Sequence, residues 1–105
     1  LLKSSRNETK ASILISGEEL AEIQRQSYHF AESYGLDSRI DNYQGKRAIS
    51  FTGWEFDSLF AVLEVLLEDP AEYPDRSAPE FLALESLSLR LRQAYASTFE
   101  PNPLP

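Results

Sequence analysis

Cysteine is absent from the 105 residues, and histidine and tryptophan occur once each. Without thiols there is no disulfide framework, no zinc–thiolate site and no cysteine nucleophile, a composition that fits a reducing compartment and sets the expectation of a cytoplasmic location. The glycines are few and isolated (Gly17, Gly35, Gly45 and Gly53), so no glycine-rich phosphate loop can form. No apolar run approaches the roughly 18 residues of a membrane span. The opening residues, LLKSSRNETK, are polar and aperiodic rather than signal-like. They are expected to be a mobile lead-in over residues 1–10. Asn7-Glu8-Thr9 matches a glycosylation sequon, but so short a match commonly arises by chance.

Basic residues are also scarce. The net charge is −7, and it is unevenly placed. Residues 55–85 carry nine acids (Glu55, Asp57, Glu64, Glu68, Asp69, Glu72, Asp75, Glu80 and Glu85) and a single base, Arg76, for a local charge of −8. Such a field repels phosphates, so nucleic acid and anionic membranes are not expected partners. It favours basic partners, although a solvated, solubilising face is the plainer role for these acids.

What is present suits a single domain over residues 11–99. The composition is ordinary for a globular chain, with 42% apolar, 26% charged and 11% aromatic residues. The most apolar stretch is residues 47–69, RAISFTGWEFDSLFAVLEVLLED. Ile49 and Phe51 alternate with polar or small neighbours, as in a half-buried strand. Thr52 and Glu55 then form a capping-box pair that opens a helix. Phe56, Leu59, Phe60, Leu63, Leu66 and Leu67 share one face of it, and Trp54, Ala61, Val62 and Val65 make it apolar over most of its girth. Such a helix is usually buried centrally. It should stop before Pro70.

Upstream, residues 11–15 read as a strand with Ile13 and Ile15 inward. Ser16-Gly17-Glu18-Glu19 is a second capping box, opening a helix expected to reach Tyr34 and to bury Leu20, Ile23, Ser27, Phe30 and Ala31. Gly35 is placed to terminate it. The two strand–[Ser/Thr]-Gly-x-Glu–helix units align at an offset of 36 residues, but identity beyond the turn is sparse. Residues 36–43 are expected to form a strand, turning at Gln44-Gly45 into a return strand from Lys46. Ser77-Ala78-Pro79-Glu80 is a third capping box, with proline in the first helical turn. The helix that follows should run over residues 78–99, with Phe81, Leu84, Leu87, Leu91, Ala94 and Tyr95 inward. The tail, residues 100–105, should be extended. The expected fold is therefore α+β, in the order β-α-β-β-α-α. A three-stranded sheet is packed by two helices on one face, and a C-terminal helix completes the domain.

No catalytic constellation emerges, and the domain is expected not to be an enzyme. His29 falls about 180° from the inner face of its helix, where it should be exposed, and no triad or metal spacing accompanies it. Glu64, Glu68, Asp69 and Glu72 lie close in sequence, but Pro70 interrupts the helix and no EF-hand spacing is present, so neither metal nor cofactor is expected. The informative residues are apolar ones off the core faces. Leu82, Leu89 and Ala96 recur every seven residues on the last helix, nearly opposite Leu84 and Leu91. Trp54, Ala61 and Val65 form a lesser stripe on the central helix. Either these stripes pack inside the domain, or a protein partner or a second copy covers them. The expected function is thus a non-catalytic interaction domain of the adaptor, regulator, inhibitor or immunity type. The alternative is a small-molecule-binding or enzymatic domain, with a pocket between sheet and helices and Tyr28, Arg39 or Trp54 at its rim.

Overall fold

The computed structural model describes residues 9–31 and 35–100. The lead-in before residue 9, the tail after residue 100 and Tyr34 lie outside the described residues. Strand β1, Lys10–Ile13, and strand β2, Ile49–Thr52, pair antiparallel, with Ala11 opposite Phe51 and Ile13 opposite Ile49. Alternation sends these four side chains into the core. On the other face, Ser12 and Ser50 share a hydrogen bond of 2.7 Å.

The described residues also form four α-helices: α1, Gly17–Arg25; α2, Leu36–Asn42; α3, Gly53–Leu67; and α4, Pro79–Phe99, of which α3 packs against β2 and α4 against β1. A 3₁₀ turn, Ser27–Phe30, follows α1. The class is α+β, but the expected three-stranded sheet is not formed. The sheet has two strands, and residues 36–42 are helical. Leu36 and Ile40, read as one face of a strand, are also one turn apart on a helix, and both are buried there. A seven-residue helix is marginal alone. This one is held from outside, where Gln24 Nε2 donates to the carbonyls of Ile40 (3.1 Å) and Tyr43 (2.9 Å) at its C-terminal end. Gly35, at φ +80°, makes the left-handed turn that leads into it.

The first helix also ends earlier than its periodicity predicts. At Gln26 the chain leaves α-geometry (φ −98°, ψ 8°) and tightens into the 3₁₀ turn. That keeps Ser27 and Phe30 buried but leaves Ala31 exposed. Ser27 Oγ donates to Asp41 Oδ1 at 2.7 Å, joining the turn to α2.

Of the three expected capping boxes, one forms. Thr52 Oγ1 accepts from Glu55 N at 3.3 Å, and Thr52 N donates back to Glu55 Oε1 at 2.9 Å. Ser16 makes no side-chain cap, and Gly17 sits at φ +59°. At α4 the N-cap is Ala78, while Ser77 donates from N (3.0 Å) and Oγ (2.7 Å) to Asp75 Oδ1 instead. Those two bonds hold the Asp75 carboxyl below its usual range.

The core joins Phe51, Phe56, Leu59, Leu63, Leu84, Leu87 and Leu91, all fully buried. Phe56 stands edge-on to Phe51 (5.6 Å), Tyr95 (5.5 Å) and Phe99 (6.1 Å), which seals α3 against β2 and α4. Helix α4 lies against α1, α3 and β1, and α3 against α4, β2 and the 3₁₀ turn, with the Trp54–Val65 face of α3 outward.

Candidate interaction surface

Helix α4 begins cleanly because Pro79 occupies its first turn, where the missing N–H is no loss. From there a rotation of about 100° per residue puts Phe81, Leu84, Leu87, Ser88 and Leu91 inside and Leu82 and Leu89 outside. Leu82 is 47% exposed and Leu89 59%. They lie along an open groove of about 470 Å³ between α3 and α4, which Leu67, Glu85, Ser88 and Arg92 also line. Leu67, read from the sequence as a core residue, is only partly buried and forms the α3 wall. At the far end Arg92 lies over the ring of Phe60, 4.7 Å from its centroid. Leu82 also borders a second open hollow of about 470 Å³ against Ser16, Glu19 and Pro79.

The other three candidate residues lie elsewhere. Ala96 is partly buried and does not line the groove. Trp54 and Val65 are 54% and 68% exposed. On the helix they are within about 20° of each other but about 160° from Leu67. They therefore form a separate strip on the outer side of α3. The structure brings together Leu82, Leu89 and Leu67, not the five candidates as one patch.

Ion pairs hold the rim on the side of α1 and β2. Arg90 pairs with Glu19 and also donates to the Leu14 carbonyl at 2.8 Å. Arg39 pairs with Glu55 at 2.5 Å and also donates to the Ser50 carbonyl, closing part of the free edge of β2. Arg39 is thus engaged at both Glu55 and Ser50, and Tyr28 lies against the exposed His29 with ring centroids 4.2 Å apart. An open hollow of about 540 Å³ lies along residues 42–50, lined by Tyr43, Lys46, Arg47 and Ser50 among others, but it includes none of Tyr28, Arg39 and Trp54.

One polar cluster was invisible in the sequence. Glu22, Gln26 and Tyr73 are 5%, 1% and 2% exposed. Tyr73 donates its hydroxyl hydrogen to Glu22 Oε2. Arg25 pairs with Glu22 at 2.5 Å. Gln26 Nε2 donates to Tyr73 Oη at 3.0 Å and to Glu72 Oε1 at 2.8 Å. Burial pushes the Glu22 carboxyl up, but the Arg25 guanidinium and the Tyr73 hydroxyl outweigh it and hold the group below its usual range. Burial, with the bond to Glu22, pushes the Tyr73 phenol up to about 12. The cluster has every member partnered and ties α1 to the loop before α4. No sequence pattern marks Tyr73, which sits alone between Pro70 and Pro74.

Among the described residues no group of three or more His, Cys, Asp or Glu side chains is placed to hold a metal ion. No described helix is long and apolar enough to cross a membrane. No protein-family model, curated protein or solved structure matches the chain.

Proposed function

We propose that this chain is a small, acidic, non-catalytic interaction domain that acts in the cytoplasm by binding another protein, as an adaptor, regulator or inhibitor does. The observation that carries this reading is the exposure of Leu82 and Leu89 over the α3–α4 groove. A leucine left in water forgoes roughly 1.5–3 kcal/mol available from burial, and two of them beside an apolar wall form a surface that gains from being covered. The absence of cysteine supports a reducing location.

The test is the double variant Leu82→Glu/Leu89→Glu. Because both side chains already face solvent, its thermal melt should stay close to wild type. Association should be lost, read as a fall in sedimentation mass or as the disappearance of proteins that the wild-type chain retains from its source cell. A folded variant with unchanged mass and unchanged retained proteins would sink the reading.

A further inference from the structure

We infer that the α3–α4 groove docks a basic amphipathic helix of a partner protein, its apolar face on Leu67, Leu82 and Leu89 and its lysines or arginines against Glu64, Glu68 and Glu85. This deepens, and rests on, the protein-contact reading above.

The shape argument comes first. Leu82 and Leu89 are one heptad apart, a rise of about 10 Å, or two turns of a docked helix. Apolar anchors at that spacing are how an amphipathic helix seats in a groove between two others. Leu67 closes one wall, and Ser88, 8% exposed, forms part of the floor.

Charge then decides the occupant. Glu85 lines the groove itself. Glu64 and Glu68 are exposed and one turn apart on α3, and Glu64 lies only about 60° around the helix from Leu67. Three acids elsewhere in the fold, Glu19, Glu22 and Glu55, each pair with an arginine, while Glu18, Asp37 and Glu100, unpaired among the described residues, lie apart from the lining of this groove. Among the described residues Glu64, Glu68 and Glu85 have no such partner. Within residues 55–85 the only base, Arg76, is placed over the ring of Phe81 at 4.9 Å. Glu85 is therefore the acid in the groove lining, Glu64 and Glu68 stand beside its Leu67 wall, and Arg92 is the cation among the described lining residues.

A second copy of the chain fits poorly. A two-fold interface can lay Arg92 of one groove against the acids of the other, but one arginine per copy against Glu64, Glu68 and Glu85 leaves an excess of like charge, which is costly. Phosphate-bearing partners are repelled for the same reason. A helix with an apolar face and basic flanks satisfies both the three leucines and the acids beside them.

The experiment uses the full chain and a fluorescently labelled peptide of about 18 residues, long enough to be helical, with leucines at i, i+3, i+4 and i+7 and lysines elsewhere. A matched peptide carries glutamates in place of the lysines. Anisotropy at about 0.15 M salt, where weak surface attraction is largely screened, should show saturable one-to-one binding of the lysine peptide alone. Leu82→Ser/Leu89→Ser and Glu64→Gln/Glu68→Gln/Glu85→Gln should each weaken it by about tenfold or more, with melts near wild type. Removing three acids elsewhere (Glu18→Gln/Asp37→Asn/Glu100→Gln) should change it less than about threefold. Equal losses from the two acid triples, or no loss on changing the leucines, would mean diffuse electrostatic adhesion and would overturn the assignment. Absence of peptide binding, with a dimer mass that Leu82→Ser/Leu89→Ser abolishes, overturns the basic helix but leaves the protein-contact reading standing. Absence of peptide binding with a mass insensitive to those changes takes both down.

Discussion

Helix α1 and helix α3 each follow a strand of the same two-stranded ribbon, yet they are tied into the molecule by different forces. Along α1 and the residue after it, Glu19 reaches Arg90, Glu22 reaches Tyr73, Gln24 caps α2, and Gln26 reaches Glu72 and Tyr73. Ile23 is its one fully buried apolar side chain. Helix α3 buries Phe56, Leu59, Leu63 and Leu66 and uses its polar residues chiefly at the cap. A net hydrogen bond contributes about 1 kcal/mol, whereas a buried large apolar side chain contributes roughly 1.5–3 kcal/mol. The α1 side should thus be specific, pH-sensitive and first to loosen, and the α3 side should set the global stability.

The strongest way to break this contrast is on the α3 side. Phe56→Ala should destabilise the domain by about 3–5 kcal/mol, since it removes the ring that Phe51, Tyr95 and Phe99 pack around. Urea titration checks this. A loss under about 1 kcal/mol would mean that the aromatic cluster is not the keystone of the core.

On the α1 side, Gln26→Ala should cost about 1–3 kcal/mol, because Tyr73 and Glu72 lose their shared donor in a buried place. Hydrogen exchange should place the loosening in α1 and the loop around Tyr73 rather than in α3.

The pH dependence belongs to the same side. Glu22 has its folded pKa lowered, so its contribution is present above its unfolded pKa and is lost as pH falls through the folded value. Below about pH 4.5 the stability gap between wild type and Glu22→Gln should therefore narrow. Tyr73 is raised to about 12, so its contribution is complete below the unfolded value and is lost as pH rises through the folded one. Tyr73→Phe should flatten that alkaline limb. Urea midpoints across pH read both, and parallel wild-type and variant curves would count against the coupling.

The smallest effects separate the two turns. Thr52→Ala should cost about 1 kcal/mol by loss of its cap. Ser16→Ala should stay within about 0.5 kcal/mol, since Ser16 makes no side-chain cap. Equal costs at the two positions, measured by thermal melts, would mean that the turns are alike after all.

The two turns also show what the amino-acid sequence determined by itself. Thr52 and Glu55 satisfy each other within one helical turn, with nothing from elsewhere required, so the start of α3 could be read directly. The same holds for Pro79 at the start of α4 and for the seven-residue recurrence that turns Leu82 and Leu89 away from Leu84 and Leu91. Ser16-Gly17-Glu18-Glu19 carries the same local signature, but Glu19 is taken by Arg90, 71 residues away, and Gly17 turns left-handed. The strand expected over residues 36–43 is instead a helix over Leu36–Asn42, and the pattern does not separate the two, because Leu36 and Ile40 share a face in either geometry. Gln24, 16 residues from Ile40, supplies partners for the helix's final carbonyls. The pairing of Glu22 and Gln26 with Tyr73 and the approach of Leu67 to Leu82 and Leu89 were decided only by tertiary packing. A hydrogen bond within four residues is encoded beside its partners, while one spanning 47 or 51 residues exists only once the helices have docked.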